Sequence, residues 1–338
     1  MKNTAIKLCN ETIYPGEILS LALPSPQLFS CAPLHIPIKV IHGKQSGPCL
    51  LLTAAMHGNE INGTEIIHRL LNLPMISRLR GTLIAVPILN VYGFINRDRY
   101  LPGGVDLNRS FPGAKNGSMA ERIAHLFSTE ILSRSNYCID LQTGPLNCSN
   151  LPQVYANFND KQSLELAKAF NTPIILNAVP EAGSLQSLAT EKHIPFLMYE
   201  AGEAMRFDEH AITTGLEGII NVMRKLEMLP EKNRQEKSFK SLLAQTSVWI
   251  CSSSSGVSHS KHKLGQHVQK GDTLSVIKDP FGASENVTLF SPNEGVIVGK
   301  NNLPLVHEGE ALFQLAVFPE MNHAANHLEA WHVNSTQR

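Results

Sequence analysis

The chain has 338 residues, enough for one large domain and a second, smaller one. Its 29 Lys and Arg residues balance its 29 Asp and Glu residues, and the lack of a long basic run argues against binding to nucleic acid or to an anionic membrane. Polar residues rather than a continuous apolar segment follow Met1, which predicts a cytoplasmic protein without a signal peptide or a membrane span. We therefore expect small molecules as partners.

Strands and helices alternate along the first two thirds of the chain. A proline-rich β segment at 35–42 precedes the first strong strand signal, an apolar run from Cys49 to Met56 that is typical of a buried parallel strand. Further strands are predicted at 82–89, 137–141, 173–176 and 195–199, and helices at 62–73, 118–133, 162–170 and 208–226. This order predicts an α/β fold, in which a mixed sheet is flanked by helices and functional residues lie at the carboxyl ends of strands.

The pattern changes after residue 230. Residues 232–240 are charged and lose the periodicity, which indicates a linker, and residues 257–317 contain short alternating strands separated by turn residues. We predict an α/β domain at 1–230, a small all-β, barrel-sandwich-like domain at 241–318 and a polar tail at 319–338. His323, His327 and His332 of this tail have a spacing that could suit a metal-binding helix, but a tail without a site is the simpler interpretation.

The first strong strand is followed by His57 and Glu60, three residues apart. At this spacing an imidazole nitrogen and a carboxylate oxygen can converge on one metal ion from a loop or a first helical turn, and zinc is the default ion. The alternative is a polar strand end in which His57 caps a backbone group. These two residues alone do not decide between the alternatives.

Three further motifs follow in a fixed order. They are Leu101-Pro102-Gly103-Gly104-Val105-Asp106-Leu107-Asn108-Arg109-Ser110-Phe111-Pro112-Gly113, Asn150-Leu151-Pro152-Gln153 and Tyr199-Glu200-Ala201-Gly202-Glu203. Together with His57-x-x-Glu60 they resemble the succinylglutamate desuccinylase and aspartoacylase family, relatives of the zinc carboxypeptidases, over roughly residues 40 to 317. The resemblance implies a carboxypeptidase-like α/β domain, a β domain behind it, and one zinc ion that serves to hydrolyse the amide of an N-acyl amino acid.

The resemblance also implies roles for the matched residues. His57 and Glu60 would supply two of three zinc ligands and leave a coordination place for water. Glu200 matches the base that takes a proton from that water and passes it to the leaving amine.

Two further matches concern the substrate. Asn108 and Arg109 match a pair that holds a substrate carboxylate, since a guanidinium binds a carboxylate through two hydrogen bonds. Arg99 matches the arginine that polarises the scissile carbonyl and stabilises its oxyanion.

The sequence departs from the family pattern at the third zinc ligand. The family has a histidine in Asp-Leu-His-Thr-Gly, whereas this chain reads Asp140-Leu141-Gln142-Thr143-Gly144. The Gln142 carbonyl oxygen is neutral but is a weaker donor to zinc than imidazole, so we expect a weakly bound ion. In addition, the loop at 144–149 lacks the basic residue usual in relatives, and Tyr155 stands where arginine is common.

Three functions therefore remain open. The first is a zinc-dependent amidohydrolase that cleaves an N-acyl amino acid or a similar small amide with a carboxylate. The second is a degenerate relative that binds such a carboxylate without turnover, because its third ligand is Gln142. The third is a role of the β domain, because 265–272 and 294–298 resemble biotinyl and lipoyl carriers, although the turn at 279–282 lacks the lysine that a carrier needs. The appended β domain would also suit assembly into a homo-oligomer.

Other polar residues give weaker signals. His259, His262 and His267 are close in sequence, but a hairpin rarely directs three such residues at one ion. The six cysteines contain no CxxC pair, so we expect free thiols. Cys148 lies in a predicted loop near the site, where a nucleophilic role is a minor alternative.

Overall fold

The computed structural model describes residues 2–26, 33–231 and 240–318. Ten strands precede residue 231 in the described chain: β1 (Ile6–Leu8), β2 (Glu11–Ile13), β3 (Ile18–Pro24), β4 (His35–His42), β5 (Cys49–Ala54), β6 (Thr82–Val86), β7 (Tyr137–Gly144), β8 (Cys148–Ala156), β9 (Ile174–Asn177) and β10 (Phe196–Glu203). The helices of the described chain are α1 (Asn62–Leu71), α2 (Val91–Asn96), α3 (Met119–Glu130), α4 (Lys161–Phe170), α5 (Leu185–Glu191) and α6 (Glu209–Lys225).

Nine further strands follow residue 240. They are β11 (Leu242–Ala244), β12 (Thr246–Cys251), β13 (Gly256–His259), β14 (His267–Val268), β15 (Thr273–Lys278), β16 (Val287–Phe290), β17 (Gly295–Asn301), β18 (Leu305–Val306) and β19 (Ala311–Val317). Cys31 and the histidines of the polar tail lie outside the described residues. None of the helices in the described parts of the chain combines the length and hydropathy that a bilayer crossing requires.

A mixed sheet forms the centre of the molecule, with the strand order β12-β19-β17-β8-β10-β7-β5-β6-β4-β3. The middle strands β10, β7, β5 and β6 run parallel. β4 runs antiparallel to both β3 and β6, and β8 runs antiparallel to β10 and β17 but parallel to β9. This arrangement confirms the predicted mixed α/β fold. The segment at 35–42 lies between β3 and β6 and forms a hairpin with β3.

Helices cover both faces of this sheet and bury each in an apolar core. α1, α4 and α6 pack on one face, where Leu50 and Leu52 of β5 point, and α2, α3 and α5 pack on the other face, where Leu51 points. Successive side chains of a strand point to opposite faces, so a strand covered on both sides needs apolar residues at every position. This requirement explains the uninterrupted apolar run in β5.

The predicted element ends differ from the structure by a few residues. A capping box forms the start of α3, with Ser118 and Glu121 hydrogen-bonded to each other's backbone. The helix predicted at 118–133 ends at Glu130, and a 3-10 turn follows at Leu132–Arg134. The motif at 150–153 lies in strand β8, and Cys148 begins that strand rather than lying in a loop.

The C-terminal strands extend the central sheet. β17 pairs with β8 from Asn301–Cys148 to Gly299–Asn150, and β19 and β12 continue outward from β17. A separate antiparallel sheet of β16, β15, β13 and β18 lies beyond them. The change to all-β structure after residue 240 matches the sequence pattern, while the division into domains stays a prediction because the backbone hydrogen bonds form one sheet from both parts.

Candidate active site

The loop between β5 and α1 carries His57 and Glu60 to the carboxyl edge of the sheet. The loop closes tightly, with the Glu60 amide donating to the His57 carbonyl at 3.0 Å. Gly58 is required in it, because a Cβ atom there would lie 1.9 Å from the carbonyl carbon of Gly93. The absence of a side chain at Gly58 thus lets α2 pack against the loop. His57 and Glu60 are almost completely buried, at 2 % and 1 % exposure.

His57 lies between two carboxylates. Its Nδ1 is 2.7 Å from Oε1 of Glu60, and its Nε2 is 3.2 Å from Oδ1 of Asp106. Burial lowers the pKa of His57, but the charges and hydrogen bonds of Glu60 and Asp106 outweigh this effect and raise it to about 9. The two carboxylates thus stabilise a positive charge on the His57 imidazole.

Glu60 is itself fixed from two further directions. Its Oε2 accepts a hydrogen bond from the backbone amide of Thr143 at 3.1 Å, and its Oε1 lies 3.4 Å from Nη1 of Arg99. The same guanidinium reaches Oδ2 of Asp106 through Nη2 at 3.3 Å. One arginine therefore ties together the two carboxylates that face His57.

Gln142 lies on β7, the strand next to β5, and is 7 % exposed. Its Nε2 donates to Oδ2 of Asp140 at 2.6 Å, and the Thr53 hydroxyl donates to the other oxygen of that carboxylate at 2.6 Å. Burial raises the pKa of Asp140 while these two donors oppose the rise. Because the amide nitrogen of Gln142 is engaged by Asp140, its carbonyl oxygen is left for the cavity that Gln142 lines.

Glu200 lies on β10 directly beside Gln142, its partner in the parallel register. Burial, and then the negative charge of Glu60, raise the pKa of Glu200 to about 7, although a hydrogen bond from Tyr155 opposes the rise. The Tyr155 hydroxyl in turn accepts from Nε2 of Gln314 at 3.0 Å and from Nε2 of Gln153 at 3.3 Å. A strand of the C-terminal region, β19, thus contributes to the surroundings of Glu200.

The outer side of the site comes from the motif at 101–113. Asn108 and Arg109 lie in a 3-10 turn that Asp106 caps, with the Asn108 amide donating to Oδ1 of Asp106 at 2.8 Å. The side-chain oxygen of Asn108 accepts from the Leu185 amide at 3.0 Å. Arg109 forms an ion pair with Glu181, and both side chains are more than half exposed.

These groups share one cavity of about 270 Å³. Five of the seven residues that the sequence singled out line it: His57, Arg99, Asn108, Arg109 and Gln142. The other two adjoin these residues, since Glu60 contacts His57 and Arg99 and Glu200 pairs with Gln142. All seven therefore gather at one edge of the sheet, and the roles assigned to them from sequence stay predictions.

The donor set fits a divalent metal ion with one weak ligand. Within residues 2–26, 33–231 and 240–318, no group of three or more His, Cys, Asp or Glu side chains is arranged to hold a metal ion, and the third candidate here is an amide. However, His57 and Gln142 each have a carboxylate behind them, Asp106 and Asp140 respectively. Such carboxylate partners orient metal ligands in proteins.

Several residues of the site were not predicted from the sequence. Asp106 belongs to a quoted motif, and its spacing from Asn108 was an available signal. Glu181 and Gln314 gave none, because their contacts to Arg109 and Tyr155 join residues far apart along the chain. The pKa of the Cys148 thiol is raised to about 11 by burial and by the charge of Glu203, so the thiol is mostly protonated at neutral pH.

Comparison with known proteins places this chain in a family. The model of the succinylglutamate desuccinylase/aspartoacylase catalytic domain matches residues 46–226, more than half of the chain. The chain belongs to this family. The predicted resemblance is thereby confirmed, and the family consists of deacylases that act on N-acyl amino acids.

Individual relatives agree with this membership. N-alpha-acetyl-L-2,4-diaminobutyric acid deacetylase of Halomonas elongata is 25% identical over 292 residues, which cover 83% of this chain and 85% of that protein. The product-bound ectoine utilization protein EutE (DoeB) of Ruegeria pomeroyi has a TM-score of 0.80 at 23% identity, over 89% of this chain and 95% of its own. A succinylglutamate desuccinylase/aspartoacylase of Rhodobacter sphaeroides has a TM-score of 0.79 at 21% identity, over 88% and 96%. The two solved structures share the fold.

Proposed function

We propose that the protein is a zinc-dependent amidohydrolase that removes the acyl group from an N-acyl amino acid. The observation that carries the proposal is that the His57 imidazole, with the Glu60 carboxylate against it, and the Gln142 amide meet at the buried, inner end of one cavity. Asn108 and Arg109 line its exposed, outer end. Membership of a deacylase family supports hydrolysis in general. The Halomonas elongata relative is named for an N-acetylated diamino acid, so such compounds belong among the first substrates to test.

His57, Glu60 and Gln142 would hold the zinc ion. When bound, the ion would polarise the scissile carbonyl and lower the pKa of a water molecule to about 7. Asp106 orients the His57 imidazole through Nε2, and Asp140 orients the Gln142 amide through Nε2. Because an amide oxygen is a weaker donor to zinc than imidazole, we expect lower affinity than in relatives with three strong ligands.

The side chains around this inner end divide the remaining work. Arg109 and the free amide nitrogen of Asn108 bind the substrate carboxylate, which fixes the direction of the amide bond in the cavity. Arg99 lies beside His57 and stabilises negative charge that develops on the carbonyl oxygen. Glu200 takes the proton of the attacking water and returns it to the leaving amine, and a pKa of about 7 suits both transfers.

One observation favours a second candidate, a binding protein without turnover. Gln142 occupies the place of the family histidine, and the described residues offer no third His, Cys, Asp or Glu to replace it. A chain that has lost zinc could still hold a small carboxylate through Asn108 and Arg109. The two candidates differ in metal content and in the effect of restoring the histidine.

Metal analysis tests the first candidate. Protein purified without chelator and dialysed against buffered zinc should contain close to one ion per chain, and His57→Ala should lose it. His68→Ala serves as the matched control, because His68 is exposed on α1 and lies outside the site. Absence of zinc from the wild-type protein after reconstitution would overturn the proposed metal site.

Gln142→His separates enzyme from binder. For an enzyme, the wild-type protein releases free amine from at least one N-acyl amino acid of a panel, and Gln142→His binds zinc on the order of tenfold more tightly in competition with a coloured chelator. For a binder, amine release is found only in Gln142→His. That second outcome would contradict the proposed hydrolase.

A further inference from the structure

We infer that Glu181 sets the charge preference of this site, selecting N-acyl amino acids with a cationic side chain and rejecting dicarboxylates. The inference rests on the proposed function, because it concerns the substrate of the same cavity. It follows from three features: the cations of the cavity lining, the anchoring of the Glu181 loop, and the ion pair between Glu181 and Arg109.

The cavity offers one guanidinium to a substrate carboxylate. Among the described lining residues the permanently cationic ones are Arg99 and Arg109, and Arg99 is held by both Glu60 and Asp106. Tyr155 contributes a neutral hydroxyl to the lining, and the loop at 144–149 has no basic residue. A substrate with two carboxylates would therefore have a cation for the first and none for the second.

The rest of the outer lining is uncharged apart from Glu181. Asn177, Ser184 and Gln186 contribute neutral polar groups, and Val179, Phe196 and Met198 contribute apolar surface. Neither kind of group repays the loss of hydration of a second carboxylate, whose burial without a cationic partner is costly. The outer lining thus favours a substrate side chain that is neutral or positive.

Glu181 is held in place by backbone contacts with the substrate-binding motif. The Ser184 amide and hydroxyl donate to the Glu181 carbonyl at 3.1 and 2.6 Å, which closes the turn. The carbonyl of Gly183 accepts from the Phe111 amide at 2.9 Å, and a Cβ atom at Gly183 would lie 2.6 Å from the Arg109 carbonyl oxygen. Since Gly183 also has a φ of +82°, only glycine fits here without strain.

This docking places a negative charge beside the carboxylate-binding arginine. Glu181 pairs with Arg109 at the mouth of the cavity, where a substrate carboxylate bound to Arg109 would become its neighbour. A carboxylate accepts several hydrogen bonds, so Glu181 keeps capacity for a substrate ammonium while Arg109 binds the substrate. The same charge repels a second substrate carboxylate, which adds a repulsive element to the selection.

Three substrates of nearly equal length test the inference: Nα-acetyl-L-ornithine, Nα-acetyl-L-norvaline and Nα-acetyl-L-glutamate. We expect kcat/KM to fall in this order for the wild-type protein. Glu181→Gln should reduce the ratio of kcat/KM for the ornithine derivative to kcat/KM for the glutamate derivative by about three- to tenfold, in keeping with one partly exposed charge pair. Glu191→Gln, the same change at an exposed site on the nearby α5, should leave the ratio as it is.

Two results would overturn the inference: a wild-type preference for the glutamate derivative, or a ratio unchanged by Glu181→Gln. If none of the three compounds is hydrolysed, calorimetric binding of the same compounds to the wild-type protein measures the preference instead. Tighter binding of the ornithine derivative, with the difference reduced in Glu181→Gln, would then support the charge selection by itself. Equal binding of all three would refute it.

Discussion

The inner and outer ends of the cavity are built in different ways. At the inner end His57, Glu60 and Asp140 are at most 2 % exposed, and each is hydrogen-bonded to a second buried or partly buried side chain. At the outer end the side chains of Arg109 and Glu181 are 56% and 65% exposed and lie in a turn and a loop. The difference indicates that strand ends fix the groups proposed for the chemistry, whereas loops carry the groups proposed for selection.

The largest effect is expected at Glu200, the proposed base. Glu200→Gln removes the proton acceptor while it keeps the shape of the side chain, so kcat should fall on the order of 10³-fold with little change in KM. Steady-state release of amine measures both constants. Glu11→Gln, at an exposed position of β2, is the matched control. Activity within tenfold of the wild-type protein would assign the base to another residue.

A second pair of variants contrasts stability with affinity. Asp140→Ala leaves the buried Thr53 and Gln142 donors without an acceptor and should lower the free energy of unfolding by about 2 kcal/mol or more. Arg109→Ala removes only an exposed guanidinium, so it should raise KM on the order of tenfold to a hundredfold and leave the free energy of unfolding nearly unchanged. Urea unfolding and steady-state kinetics of both variants measure the contrast. Equal losses of stability would refute the distinction between the two ends.

The smallest effect concerns the pH dependence. The Tyr155 hydrogen bond favours ionised Glu200 and so lowers its pKa against the effect of burial. In Tyr155→Phe the pKa of Glu200 should rise, fewer molecules carry the ionised base at acid pH, and the acid limb of kcat/KM should move to higher pH. The loss should be several-fold below pH 7 and small above pH 8. A parallel drop at all pH values would mean that Tyr155 only supports the packing.

The sequence predicted the parts of this arrangement whose signals are local. The apolar run in β5 and the Ser118 capping box follow from periodicity and spacing, and the loop after β5 was found from His57 and Glu60. Strand β8 was missed because Pro152 and its polar neighbours break the apolar alternation of a strand. Helix α5 has only seven residues, too few for a clear helical period.

Contacts between distant segments could not be predicted from one sequence. Glu181 looks like any exposed glutamate until the Gly183 backbone docks against the motif around Arg109. Gln314 looks like an ordinary residue of an alternating strand until β17 joins β8 and brings β19 towards Tyr155. In both examples the information lies in the tertiary pairing, which local patterns do not contain.

The continuity of the sheet has a consequence for biosynthesis. Gln314 lies 159 residues after Tyr155, and the two meet only when β19 has added to the edge formed by β17. A ribosome must therefore release almost the whole described chain before the hydrogen bonds beside Glu200 are complete. Glu200 therefore gains its final surroundings only when β19, the last strand of the described chain, has been synthesised.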